Sequence, residues 1–463
     1  MHYRKRLSLV ALPVAILAVS SLASAEQAPA PKPTIAKICT NCHKAEAGAL
    51  RGYFEGVSVK AKGIQIKIDE ATEVLKYDEK SFQVINEQKK SGDIALIKDN
   101  KLKKGHEVKV EYKEENGVKI ATKLTAKPPV ELPASMRIST AEVEKLVAKG
   151  SGYYLFDSRP LPRFQEGSIP TAVNLPFPAF DKLAPKLLPA DKNAPIIFYC
   201  AGQTCNMSPG SATKAKALGY TNLKVYKDGM PAWLEKNYGV LSGQFLKEAW
   251  IDKDIPHVLL DVRPEKVAGD GFIKGAVAFP AKQAGKLVKG LKIKKNAPIM
   301  VYDQSGGMDA KSVAARLVKA GFRKVVIIDG GYDAWQKAGF EAATGTLAKK
   351  VVYVAKPKPG EIVPEEFKKY AAAPADNVLI VDVRSTEETK NGMLKGAKNI
   401  PVTELRDRLA ELPKDKTILF QCNTGTQAEM AYHTLKELGY TNIKFLNARV
   451  DFNKKGGYTI TKE

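Results

Sequence analysis

Between residues 51 and 128 apolar and polar positions alternate with a period of two, as in VSVKAKGIQIKI, HEVKVEYK and VKIATKL. Alternation of this kind predicts half-buried strands, and several short ones in succession predict a small antiparallel β-barrel or sandwich. Beyond residue 134 the pattern changes to short runs of β-branched and aromatic residues separated by stretches with helical spacing, such as TAEVEKLVAKG. Strands that alternate with helices predict parallel sheets with crossover helices. The fold class is therefore α/β, preceded by a small all-β domain.

The α/β part repeats one order of features three times. The first copy runs YYLFDSR, GSIPTAVNLP, APIIFYC, ALGYTNLKVY and DGMPAW. The second runs HVLLDVR, GFIKGAVAFP, APIMVYD, KAGFRKVVII and GGYDAW, and the third VLIVDVR, GMLKGAKNIP, KTILFQC and ELGYTNIKFL. Junctions fall near 240 to 245 and in the Lys- and Pro-rich segment 349 to 361. The chain thus divides into 51–130 for the β domain, then 134–240, 243–345 and 358–460 for the three repeats.

Each repeat places a distinctive residue where a strand runs out into a loop: Cys200, Asp303 and Cys422. Ligands of open parallel sheets sit beyond the carboxyl ends of the strands, and a helix N-terminus there presents unpaired N–H groups. A cysteine in that position is expected to have a depressed pKa and to act as a thiolate nucleophile. From that position to the glycine ending the next helix there are 19, 18 and 17 residues in the three copies, so the first loop is the longest. That loop also holds Cys205, for which three roles stand open: resolving an oxidised Cys200, locking the loop as a permanent disulfide, or none. Ser208-Pro209 is the expected start of the following helix.

These motifs resemble the rhodanese family of sulfurtransferases over roughly residues 134 to 460. The resemblance rests on the Asp-x-Arg after a strand, the Gly-x-Ile-x-x-Ala-x-x-x-Pro turn, the strand-terminal cysteine and the Gly-x-x-x-Trp close. It implies three tandem, doubly wound parallel-sheet domains and sulfur transfer through a cysteine persulfide, with Cys422 and Cys200 as the catalytic thiols. The catalytic loops would be Ala201, Gly202, Gln203 and Thr204 in the first copy and Asn423, Thr424, Gly425, Thr426 and Gln427 in the third. Gln427 stands where an arginine is common in the family, and neither loop contains Arg or Lys. Asp303 cannot form a persulfide, which makes the second copy a degenerate site. Asp157, Arg159, Asp261, Arg263, Asp382 and Arg384 read as structural salt-bridge and turn residues. The implied partners are anionic sulfur or selenium small molecules and a thiol acceptor, with no cofactor required for the transfer.

The N-terminus carries a different message. Arg4, Lys5 and Arg6 precede an apolar segment ending at Ala23-Ser24-Ala25, the form of a signal peptide over 1–25. An exported chain, periplasmic or envelope-associated, is the expectation. Net charge is +23, or +20 without those three basic residues, and lysine dominates it along the whole chain. Such dispersion, with export, argues against nucleic acid as a partner and reads first as solvated lysine faces, with attraction of anionic substrates or membrane surfaces as the alternative.

Within 26–50 lies Cys39-Thr40-Asn41-Cys42-His43, a CxxCH segment. It matches the haem c attachment pattern, with Cys39 and Cys42 as attachment sites and His43 as the iron ligand. A disulfide or dithiol redox pair and a metal site are the alternatives. No methionine lies between His43 and Met136, so a sixth haem ligand would fall to His106 or an outside group. His106, His257 and His433 otherwise read as structural. CxxCH, a β domain and several rhodanese units together resemble rhodanese-like proteins of selenite- and tellurite-reduction gene clusters. That resemblance implies the handling of reduced sulfur, selenium or tellurium species near envelope electron-transfer proteins. The leading reading is a sulfur or selenium carrier, from the thiol-bearing loops; the alternatives are a haem-c-containing electron-transfer subunit, from CxxCH, and a non-catalytic scaffold, from Asp303 and the missing arginines.

Overall fold

The computed structural model describes residues 33–41, 43–69, 71–98, 101–453 and 457–462. The leader 1–25 and Cys42 lie outside the described residues. Among the described residues no helix is long and apolar enough to cross a membrane.

The N-terminal β domain contains strands β1 (Ala49–Ser58), β2 (Gly63–Ile68), β3 (Ala71–Tyr77), β4 (Gln83–Ile85), β5 (Ser91–Gly92), β6 (Glu107–Glu115) and β7 (Val118–Ala126). The strand order is β3-β2-β1-β6-β7-β4-β5, and β3 also pairs with β7. That extra pairing closes β1, β2, β3, β6 and β7 into a barrel. Closure is parallel, Lys76 opposite Ile120, whereas the sequence pattern predicts antiparallel pairing throughout. Alternation reports which face a strand buries but not the direction of its neighbour, and in a closed ring of five strands with four antiparallel pairings the fifth must be parallel. Inward residues such as Ile64, Ile66, Leu75, Val108, Val110 and Leu124 fill the interior.

Each repeat folds around a parallel sheet. The first orders its strands Leu223–Tyr226, Ile196–Tyr199, Tyr154–Asp157 and Val173–Asn174. The second orders Gly239–Leu241, Lys324–Ile328, Pro298–Tyr302, Val258–Asp261 and Val277–Ala278. The third orders Glu361–Ile362, Ile443–Leu446, Thr417–Gln421, Val378–Asp382 and Lys398–Asn399. Gly239–Leu241 pairs with Lys324–Ile328, so residues grouped by sequence with the first repeat already belong to the second sheet.

The strands are apolar at successive positions because both faces are covered. In the third sheet Val381, Ile418, Phe420 and Phe445 pack into one core, while Ile380, Leu419 and Leu446 pack into a second on the opposite face. Two such cores also flank the second sheet. Register sets the chemistry of the sheet edge: Asp157 lies opposite Tyr199, Asp261 opposite Tyr302 and Asp382 opposite Gln421. The Asp-x-Arg element and the residue after the central strand therefore emerge side by side at one edge.

Candidate active site

The Asp-x-Arg pairs are buried clamps. Arg384 donates to Asp382 through Nε (2.9 Å) and Nη2, and Nη2 also reaches the Gly392 carbonyl at 2.7 Å. Arg159 and Arg263 repeat this on Asp157 with Gly167 and on Asp261 with Gly271, each carbonyl at 2.6 Å. Each clamp ties a strand end to the segment entering the Gly-x-Ile turn.

In the second and third repeats the loop beside the clamp turns its N–H groups toward one point. The second repeat shows what that point accepts. Asp303 Oδ1 accepts from Ser305 N–H (3.1 Å) and Gly307 N–H (2.8 Å), and Oδ2 accepts from Ala310 N–H (3.0 Å). Gly307 precedes the helix Met308–Lys319, so this cradle is the helix N-terminus with an anion seated in it.

In the third repeat a thiol occupies the same place. Cys422 is 1% exposed, follows the strand Thr417–Gln421, and its Sγ accepts from Gly425 N–H at 3.2 Å. Gly425 has φ +87°, and a Cβ there would stand 3.0 Å from Asn447 Cα and 3.2 Å from the Leu446 carbonyl. Glycine is required for this turn on both counts. Burial pushes the Cys422 thiol up, against the backbone N–H groups of Ala428, Thr424, Gly425 and Gln427, which pull it down. The depressed pKa expected from the helix N-terminus is thus overridden by desolvation, and the resting group is a thiol.

The catalytic-loop residues Asn423 and Gln427 lead into a contact that no local motif announced. Asn423 Oδ1 accepts from Arg384 Nη1 at 3.3 Å, and its amide donates to Glu388 Oε1 at 3.1 Å. Lys60, in the β1–β2 turn of the barrel, pairs with the same Glu388 oxygen at 2.8 Å. Gln427 Nε2 reaches Ser58 Oγ at 3.4 Å, while Gln427 Oε1 is buried without a hydrogen bond. Thr424 Oγ1 lies 3.4 Å from Thr426 Oγ1. Through Glu388 the barrel is thus tied to the loop that follows Cys422, with Lys60 neutralised by that carboxylate.

In the first repeat Cys200 is joined to Cys205 as a disulfide, with Cα atoms 6.4 Å apart. Of the roles open for Cys205 this geometry embodies a closed loop. Ala201 and Gln203 are exposed, Thr204 is half-buried and Gly202 is buried. The helix starts at Met207 rather than at the predicted Ser208-Pro209, and Asn206 at its N-cap makes no side-chain cap bond. Ser208 turns inward instead, its Oγ 3.0 Å from Cys200 Sγ. Lys227 donates to the Gln203 carbonyl, and lies 3.5 Å from that of Cys205. Burial pulls Lys227 down to about 8. Its signal in the sequence was its place directly after the strand Leu223–Tyr226, which is parallel to the Cys200 strand and ends at the same edge.

Of the CTNCH segment, Cys39 and His43 lie against the barrel. Cys39 is 4% exposed and packs in the barrel core. Burial first, and Glu107 next, push its thiol up to about 12. His43 Nε2 faces Glu107 Oε1 at 3.4 Å and has no hydrogen bond; burial and then Arg51 hold its pKa below the usual value. With its Nε2 turned to the Glu107 carboxylate, His43 does not fit the role of a haem c iron ligand. Among the described residues no three His, Cys, Asp or Glu side chains converge on a metal site. His106 Nε2 lies 3.0 Å from the Lys127 carbonyl, a strand contact.

The Rhodanese-like domain family matches residues 139–236, 245–338 and 363–448, more than half of the chain. YqhL of Bacillus subtilis is 35% identical over 84 residues, 18% of this chain and 65% of that protein. The thiosulfate sulfurtransferase PspE of Escherichia coli is 38% identical over 66 residues, 14% of this chain and 64% of that protein. A probable 3-mercaptopyruvate sulfurtransferase of Schizosaccharomyces pombe is 26% identical over 198 residues, 36% of this chain and 66% of that protein. The chain spans about 65% of the length of YqhL and 15% of that of the tRNA sulfurtransferase of Shewanella halifaxensis. With three family matches on three copies of the same parallel sheet, this chain belongs to the rhodanese family, as a tandem of three rhodanese-like domains.

Proposed function

We propose that the chain is a sulfurtransferase in which Cys422, and Cys200 once reduced, carry sulfane sulfur as persulfides. The cysteine first gives up its thiol proton to solvent or a base; the thiolate then attacks the outer sulfur of a donor such as thiosulfate, the S–S bond of the donor breaks, and sulfite leaves with the bonding pair. A thiol acceptor then takes the sulfur and restores the cysteine. The observation that carries this reading is the anion held by three N–H groups at Asp303, in the cradle that Cys422 occupies in the third domain. A persulfide anion is stabilised by the same donors, and its longer reach moves charge away from the buried Cys422 sulfur. Relatives described as thiosulfate and 3-mercaptopyruvate sulfurtransferases support the reaction class.

Asp303 leaves the second domain without a nucleophile, and the Cys200–Cys205 disulfide makes the first domain redox-controlled. The form of the leader supports a mature chain outside the cytoplasm, beginning at Glu26, where a disulfide persists. Selenium or tellurium species are substrates of the same chemistry, and envelope electron-transfer proteins are its partners in that setting.

The test is mass spectrometry of the reduced full-length protein after thiosulfate or polysulfide. The Cys422 peptide is expected to gain one labile sulfur, lost on reduction; if neither it nor the Cys200 peptide gains sulfur, the carrier reading fails. The competing electron-transfer reading requires a Soret band in protein matured by a haem-c-competent host, and a colourless product removes it.

A further inference from the structure

We infer that the chain contains an internal thiol–disulfide exchange site, in which Cys39 opens the Cys200–Cys205 disulfide across a cavity shared by the barrel and the first rhodanese-like domain. This deepens the redox control of Cys200 proposed above and rests on it. The cavity, about 620 Å³, is walled on one side by Cys39, Tyr53 and His43 and on the other by the loop from Ala201 to Asn206. A free thiol and a disulfide from distant parts of the chain thus border one space.

The walls are held together. Val130, in the strap leaving the barrel, donates its N–H to the Gln203 carbonyl at 2.9 Å. Lys227 Nζ donates to the same carbonyl.

The geometry also selects which sulfur is attacked. Cys205 lines the cavity, whereas Cys200 is 1% exposed and is absent from its wall. A nucleophile arriving through the cavity meets Cys205 Sγ. The Cys39–Cys205 bond forms, the Cys200–Cys205 bond breaks, and the electron pair leaves on Cys200. Cys200 is the better leaving group because Ser208 Oγ stands 3.0 Å from its sulfur, at the start of the helix Met207–Ala217. Cys200 takes up a proton in place of the one Cys39 gives up. One disulfide and one thiol stand on each side of the reaction, so no outside oxidant or reductant is consumed.

Exchange frees the Cys200 thiol for sulfur transfer and parks Cys205 on the barrel. The charged and polar groups facing Cys39 are Glu107, Lys127, Arg51 and Tyr53. Burial and Glu107 keep Cys39 protonated at neutral pH, which makes the exchange slow and holds the lock closed until the cavity opens to solvent or to a base.

The experiment uses the full-length chain carrying Cys200→Ser, which leaves Cys205 without its partner. After mild oxidation with diamide and alkylation of remaining thiols, peptide mapping without reduction is expected to recover Cys39 linked to Cys205. The link is expected to be lost in the Cys39→Ser, Cys200→Ser protein. Recovery of Cys205 as an alkylated thiol, or linked to Cys42, Cys422 or a second chain, overturns the inference. In the otherwise unmodified oxidised chain, without reductant, alkylation of Cys200 should rise as alkylation of Cys39 falls; Cys200 becoming free at an unchanged rate in Cys39→Ser also overturns it. Sulfur loading on Cys422 without the cross-link sinks this inference alone, whereas the cross-link without any sulfur loading sinks the sulfurtransferase reading and leaves the exchange site standing.

Discussion

Replacing Asp303 by asparagine keeps the shape of the side chain and removes its charge. Asp303 is 7% exposed and accepts three backbone N–H bonds of 3.1, 2.8 and 3.0 Å, two on Oδ1 and one on Oδ2. An amide offers one acceptor oxygen, so in its better orientation it keeps the Ser305 and Gly307 bonds and turns an NH₂ group on the Ala310 N–H. One hydrogen bond to a charged acceptor is lost, at roughly 1.5–3 kcal/mol. Removing negative charge from the helix N-terminus adds about 0.5–1 kcal/mol. The expected loss for Asp303→Asn is about 2–4 kcal/mol of local stability. Asp303→Ala, which orphans all three N–H groups, costs more. Because a chain of several domains does not unfold in one step, the readout is amide hydrogen exchange of the segment 303–319 in the full-length protein. At about 1.4 kcal/mol per tenfold, exchange should quicken roughly 30- to 1000-fold. Asp309→Asn, on an exposed residue of the same helix turn, serves as the control. Less than tenfold acceleration in Asp303→Asn would refute the view that the cradle binds an anion, and with it the physical case for a persulfide in the third domain.

Gly425→Ala places a side chain at φ +87° and 3.0 Å from Asn447 Cα, so the third domain should lose about 1–3 kcal/mol and Cys422 its sulfur loading. Unchanged loading by mass spectrometry in a folded Gly425→Ala protein would count against the loop geometry as the basis of the site. Burial raises the Cys422 pKa, so its alkylation by iodoacetamide should stay slow near neutrality and climb only above the ordinary thiol value of about 8.5. The same shift bears on stability. The unfolded chain releases the thiol proton first, so the third domain should weaken as pH rises through the unfolded value; a flat denaturation midpoint across that range speaks against a buried neutral thiol.

Much of this protein was written locally. The alternation in 51–128 dictated strands because a pleated ribbon with one buried face has a period of two, and the apolar runs ending at Cys200, Asp303 and Cys422 dictated sheets covered on both faces. Comparison among the three copies alone distinguished the thiol-bearing loops from the Asp303 copy and showed the first loop to be the longest. Other properties depend on distances between residues remote in sequence, which local pattern does not constrain. The meeting of Lys60 with Glu388 at the Cys422 loop and the cavity between Cys39 and Cys205 required the packing of the barrel against its neighbours. The Cys422 pKa went the same way. A helix N-terminus can be read from sequence and favours the thiolate, but burial is a sum over the whole fold, and in the folded chain desolvation outweighs the N–H donors. Sequence determined which groups stand at the strand ends; tertiary structure decided their charge, their partners and their access to one another, because solvent exclusion and proximity exist only once the domains have packed.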